Sequence, residues 1–225
     1  MNTTTSLFAG LCLLAASATA QASLLGWQTE VGTGTTPAAT VFTTTTGASP
    51  ALVNVGSLSG DRSFEFIYFS TGAAVSQALM GSQAVASGSQ GLKAEQFNNT
   101  GLMGLTDFGV DDYNSTFTAI TNADTHVVYT SNGVDTLMYV NGALVFTYSG
   151  VDLTMTGTNA LAAASNSAGS AFFDNLSGSV LGFASYDSAL SPAEIATHYN
   201  AFAVPEPGVS ALALLTGLGL VRRRR

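Results

Sequence analysis

The pair Asn141-Gly142 stands between two apolar runs in TLMYVNGALVFTY, Thr136 to Tyr148. Two such residues between alternating hydrophobics are the strongest short-range sign of a β-hairpin, because a type I′ turn needs positive φ twice. The register that follows pairs Val140 with Ala143, Tyr139 with Leu144, Met138 with Val145 and Leu137 with Phe146. One face then carries Leu137, Tyr139, Leu144 and Phe146, and the other Met138, Val140, Ala143 and Val145. Both faces are apolar, so the hairpin is expected at the centre of a layered structure. A further turn over Ser131–Asp135 adds the strand Val127–Tyr129, making a three-stranded meander.

Two more elements are readable locally. SFEFIYFS, Ser63 to Ser70, is aromatic and β-branched between polar turns, and reads as a buried strand. Near the end of the body, Ser179 to Tyr186 reads as a strand followed by a short helix. Ser191 is its N-cap, Pro192 takes the first helical position and Glu194 closes a capping box. Ile195, Tyr199 and Phe202 follow at helical spacing and form the docking stripe. From Leu24 to about Gly60 the chain is rich in Thr and Gly and reads as strand or exposed loop.

These blocks resemble a laminin G-like, concanavalin A-like jelly-roll domain. HVVYTSNGVDTLMYVNGALV, GSVLGFASYDSALSPAEIATHY and LKAEQFNNTGLMGLTDFGVDDY carry the resemblance, which covers roughly Ala51 to Phe202. It implies an all-β sandwich of two antiparallel sheets with one short C-terminal helix. Many relatives have an acidic pair in the last strand where this chain has Leu181-Gly182, so no role of that pair carries over.

Both ends read as targeting segments, which divides the chain into 1–22, 23–203 and 204–225. MNTTTSLFAGLCLLAASATAQAS has an apolar stretch, Leu7 to Ala16, then small residues fitting A-x-A at Ala18–Ala20 and Ala20–Ala22. It reads as an export signal, though no Lys or Arg precedes the apolar stretch. Cys12 is the only cysteine and lies within the segment to be removed, so the mature protein is expected to have neither thiol nor disulfide. At the other end, Pro205, Glu206 and Pro207 precede thirteen mostly apolar residues and then Arg222, Arg223, Arg224 and Arg225. Thirteen helical residues rise about 20 Å against a hydrocarbon core of roughly 30 Å, a poor permanent span. The order resembles the PEP-CTERM sorting signal of Gram-negative bacteria. That resemblance implies transient membrane association, processing by an exosortase partner, release to the cell surface or matrix, and an exopolysaccharide-producing host.

Charge narrows the partners. The chain carries a net −8, and between the two ends 13 acids face only Arg62 and Lys93. Such a body repels phosphate backbones, so nucleic acid is excluded as a partner. Disorder is unexpected at 46% apolar residues.

Catalysis finds no footing in the spacing. Related glycosidases use a Glu-x-Asp-x-(x)-Glu strand, and Glu30, Glu65, Glu95 and Glu194 stand in no such pattern. His126 and His198 belong to no nucleophilic triad pattern. In TDFGVDDYN, Asp107, Asp111, Asp112 and Asn114 are calcium candidates, since many laminin G-like domains bind the ion at a sheet rim; the plainer reading is a solvated acidic turn. Asp174-Asn175 is a second acidic spot, read as a turn cap. Sugar stacking needs exposed aromatic rings, and Tyr113 and Phe108 in the acidic loop are the candidates, with Trp27 more often buried and Phe64, Phe66 and Tyr139 in the core. The expected function is a non-catalytic surface or matrix module contacting extracellular polysaccharide. The alternatives are a structural or adhesion protein with a protein partner and, less favoured, a polysaccharide hydrolase or lyase.

Overall fold

The structure, a computed structural model, describes residues 24–31, 37–41, 44–56, 60–72, 74–97 and 99–203. The segments read as an export signal, 1–22, and as a sorting tail, 204–225 with Pro205, Glu206, Pro207 and Arg222 to Arg225, lie outside these. A helix α1 (residues 24–31) comes first. The strands follow as β1 (Pro37–Val41), β2 (Thr45–Thr46), β3 (Ala51–Asn54), β4 (Arg62–Ser70), β5 (Gln77–Ser82), β6 (Gln90–Glu95), β7 (Leu102–Asp107) and β8 (Asp111–Thr118). Next are β9 (Asp124–Ser131), β10 (Thr136–Val140), β11 (Ala143–Tyr148), β12 (Thr158–Leu161), β13 (Ala164–Ser165), β14 (Phe172–Phe173) and β15 (Gly178–Tyr186). Helix α2 (Pro192–Ala203) ends the domain.

The strands form two sheets. The first runs β1-β15-β4-β9-β10-β11, with β2 beside β15; the second runs β14-β13-β5-β6-β7-β8, with β3 and β12 attached to β5 through β12. All pairings are antiparallel except the short β13–β5 contact. This is the expected all-β sandwich. Its core alternates along each strand: Phe64, Phe66 and Tyr68 from β4 meet Leu92, Met103 and Leu105 from the second sheet. Full burial of each such side chain contributes roughly 1.5–3 kcal/mol.

The other face of the first sheet is also covered. Ile67, Val128, Tyr139, Ala184 and Tyr186 pack under Trp27 and Val31 of α1 and Ile195 of α2. Helix α1 departs from the expected loop or strand; its apolar face is Trp27 and Val31, one turn apart, and so short a stripe containing a glycine gives little sequence signal. Trp27 packs directly against Gly182, where a Cβ would come within 2.3 Å of the indole. That contact leaves room only for glycine at this position. The α2 cap is as expected: the Ser191 amide donates to Glu194 Oε2 at 2.8 Å, and the Glu194 amide to Ser191 Oγ at 3.3 Å.

The hairpin forms at Asn141-Gly142, with φ of 49° and 77°. Its position and register differ from expectation. It lies at the sheet edge, with β11 outermost. Apolar residues on both faces of β10 reflect the sandwich on one side and the helices on the other. A bulge between Met138 and Tyr139 pairs Met138 with Phe146 instead of Val145, and Leu137 with Thr147. One extra residue flips the faces. Phe146 therefore packs on the inter-sheet core while Leu144 remains 52% exposed.

Glu65 joins the helices to the sheet. Its β4 neighbours point into the sandwich, so this carboxylate points under the helices, where it is fully buried. Oε1 accepts from Trp27 Nε1 at 2.6 Å and pairs with His126 Nε2 at 2.7 Å. Oε2 accepts from the Tyr186 hydroxyl at 2.7 Å and pairs with His198 Nδ1 at 3.0 Å. The network draws on α1, β9, β15 and α2 at once. Burial pushes the carboxyl pKa up, but the hydrogen bonds and charges of the two histidines outweigh it and hold it far below the carboxylate range. Burial would lower His198, yet the hydrogen bond and charge of Glu65 leave it raised.

Glu65→Gln removes the charge and turns an NH₂ toward groups that need an acceptor. It should lower the unfolding free energy by about 3 kcal/mol in urea titrations. In the wild type, the Glu65 contribution is complete above the ordinary carboxylate pKa and is lost as pH falls below about 4. The His198 contribution is complete below the ordinary histidine pKa and is lost as pH rises through its raised value. A variant with unchanged stability and an unchanged acid limb would remove Glu65 from this role.

Candidate functional site

Among the described residues neither helix packs on the outer face of the second sheet, although the outward-pointing residues of its central strands are themselves buried. Leu92, Ala94, Met103 and Leu105 of β6 and β7 point into the core. The alternate positions therefore point out: Gly91 and Lys93 on β6, Gly104 and Thr106 on β7, and Asp112 and Asn114 across from them on β8.

TDFGVDDYN is accordingly a tight hairpin, not an open loop. Phe108, Gly109 and Val110 make the turn, and Asp107 pairs with Asp111 at its base. The Phe108 ring folds back over Gly91, where a Cβ would lie 2.9 Å from Cζ. It meets Phe173 of β14 edge-on, with centroids 5.5 Å apart. Phe97, just beyond β6, is 58% exposed. These three rings, with Lys93, Thr106, Asp174 and the hairpin carboxylates Asp107, Asp111 and Asp112, line a groove of about 570 Å³.

Lys93 anchors the floor. It is 1% exposed, its ammonium is paired with the Asp174 carboxylate, and it donates to Ser76 Oγ at 3.1 Å. The Nζ atom also sits 5.6 Å from the centroid of Phe108. Asp174 is therefore the counter-ion of Lys93, beyond its expected role as a turn cap; Asn175 donates from Nδ2 to the Gly47 carbonyl at 2.7 Å.

The sequence candidates separate in space. Phe108, Asp107, Asp111 and Asp112 reach the groove. Tyr113 packs half-buried against the inter-sheet core, its hydroxyl pKa raised by burial and by Asp107 and Asp111. Asn114 is exposed on the strand. Asp112 Oδ1 accepts the Thr106 hydroxyl at 2.7 Å, and Asp111 Oδ1 accepts the Asp112 amide at 2.8 Å. Consecutive strand residues diverge to opposite faces, so the four calcium candidates do not converge. Among the described residues no group of three or more His, Cys, Asp or Glu gathers to hold a metal ion.

Phe97, Phe173 and Lys93 escaped the sequence reading. Phe97 in AEQFNN and Phe172-Phe173 in SAFFDN are isolated large apolar residues in polar turns, which is the signal that could have marked them.

The chain belongs to the concanavalin A-like lectin/glucanases superfamily, whose laminin G-type family model matches residues 42–196. No curated protein sequence matches it. Similar solved structures include domain 4 of AbnA, a GH43 extracellular arabinanase from Geobacillus stearothermophilus, in complex with arabinotriose. There the TM-score is 0.53 at 13% identity, covering 74% of this chain and 82% of that one. The receptor-binding domain of a botulinum neurotoxin C/D mosaic serotype gives 0.51 at 16% identity, covering 69% and 41%. The K499G mutant of NanB sialidase from Streptococcus pneumoniae gives 0.51 at 14% identity, covering 72% and only 28%. Likeness at these identities is one of fold.

Asp174→Asn strands the buried Lys93 ammonium and should cost about 3 kcal/mol of stability in urea denaturation. The double variant Lys93→Met with Asp174→Asn should recover much of that loss, as a double-mutant cycle measures. Simple additivity of the two single losses would contradict the pairing.

Proposed function

We propose that the chain is an exported, non-catalytic surface or matrix protein whose outer-face groove binds extracellular polysaccharide. The observation that carries this reading is the meeting of Phe97, Phe108 and Phe173 with hydrogen-bonding carboxylates in one groove. Aromatic faces take the C–H surfaces of sugar rings, while Asp and Thr oxygens satisfy hydroxyls. The AbnA domain of like fold is seen with arabinotriose, which supports a glycan by analogy of fold. Glu65, His126 and His198 are sealed under the helices and face no substrate. The export-signal pattern over 1–22 and the PEP-CTERM-like tail, Val204 to Arg225, support delivery through an exosortase to the cell surface or matrix.

Affinity electrophoresis in the polysaccharide of a producing organism tests the site. Phe97→Ala and Phe108→Ala should each weaken retardation on the order of tenfold while leaving the thermal midpoint within a few degrees. EDTA should change nothing. Retention unaffected by either substitution would place binding elsewhere.

For delivery, intact-mass measurement on the surface fraction should show a chain lacking the export segment and the four terminal arginines. Recovery of the full chain from the cytosol would refute export.

A further inference from the structure

The described residues hold two permanent cations, and neither faces solvent. Arg62 is 5% exposed, with Nε donating to the Gly60 carbonyl at 2.9 Å and Asp61 and Asp152 nearby. Lys93 is consumed by Asp174 and Ser76. The permanent charge left at the groove is negative: Asp107, Asp111 and Asp112.

That balance sorts glycans by charge. A uronate, sulfated or sialylated chain would meet carboxylates with no cation to receive it. A neutral chain would use the rings and offer hydroxyl donors to the acids, but leave their charge uncompensated. An ammonium group would use both, because aromatic faces and carboxylates attract the same cation. The groove already seats one such group: Lys93 Nζ lies beside Asp174 and 5.6 Å from the centroid of Phe108.

We infer that the groove selects polysaccharide carrying free, non-acetylated amino sugars, with the sugar ammonium held between the aromatic rings and Asp112, and Asp107 and Asp111 adding negative charge at the rim. This rests on the glycan-binding reading above and specifies its substrate class.

Isothermal titration of the purified protein with three probes tests it: a chitosan oligosaccharide, its fully N-acetylated counterpart, and a uronate oligomer of equal length. The free-amine oligomer should bind on the order of tenfold tighter than the acetylated one, with the uronate undetected. The triple variant Asp107→Asn, Asp111→Asn, Asp112→Asn should reduce that preference to about twofold, as should salt near 1 M. Phe108→Ala should weaken both amine and acetylated probes together. Equal binding of the amine and acetylated probes overturns the inference and leaves the glycan reading standing, as does a preference for the uronate. Failure to bind the free-amine oligomer overturns it too; failure also on the producing organism's own polymer removes the glycan reading with it.

Discussion

Strand β4 sits between two apolar layers, and the rest of the domain is arranged to cover both of its faces. Phe64, Phe66 and Tyr68 build the inter-sheet core, while Glu65 and Ile67 between them are roofed by α1 and α2. A carboxylate in that outer layer is tolerable only if its oxygens are fully used. Trp27, His126, Tyr186 and His198 use them, and each comes from a different element. Glu65 thus fixes where both helices lie. Replacing the whole cluster by apolar groups could be neutral in free energy, but removing a single partner could not.

The helices cover the outer face of the first sheet, whereas on the second the described residues leave a groove beside Phe97, Phe108 and Phe173. The same logic of one buried charge recurs there on a smaller scale. Lys93 leaves β6 on the outer side, is neutralised by Asp174 from 81 positions later, and supports the Phe108 ring resting on Gly91. An aromatic floor held by a satisfied ion pair is stiff, which reduces the ordering cost when a ligand binds. The surrounding carboxylates then set the sign of what the floor can accept.

Local signals were legible and distant ones were not. The Asn141-Gly142 turn, the Ser191–Glu194 cap and the buried β4 are each decided by residues within one element, and each stands as expected. The β10–β11 bulge is decided by how Phe146 packs across the sandwich, so the simple register went astray at Met138. Helix α1 owes its existence to burial of Trp27 against Gly182 and Glu65, partners far along the chain. Half of the groove followed from TDFGVDDYN. The other half, Lys93, Phe97 and Phe173, is joined to it only by folding. Reading that segment as a loop missed the strand pairing that sends Asp111 and Asp112 to opposite faces.

The proposed glycan-binding surface is the groove on the outer face of the second sheet. Amide chemical shifts of the ¹⁵N-labelled protein, followed while oligosaccharide fragments of the producing organism's polymer are added, test it directly. The account predicts that saturable shifts cluster at Lys93, Phe97, Thr106 to Asp112 and Phe173–Asp174, with the helix-covered face silent. Shifts confined to α1, α2 or the exposed β11 edge, or no saturable shifts at all, would contradict it.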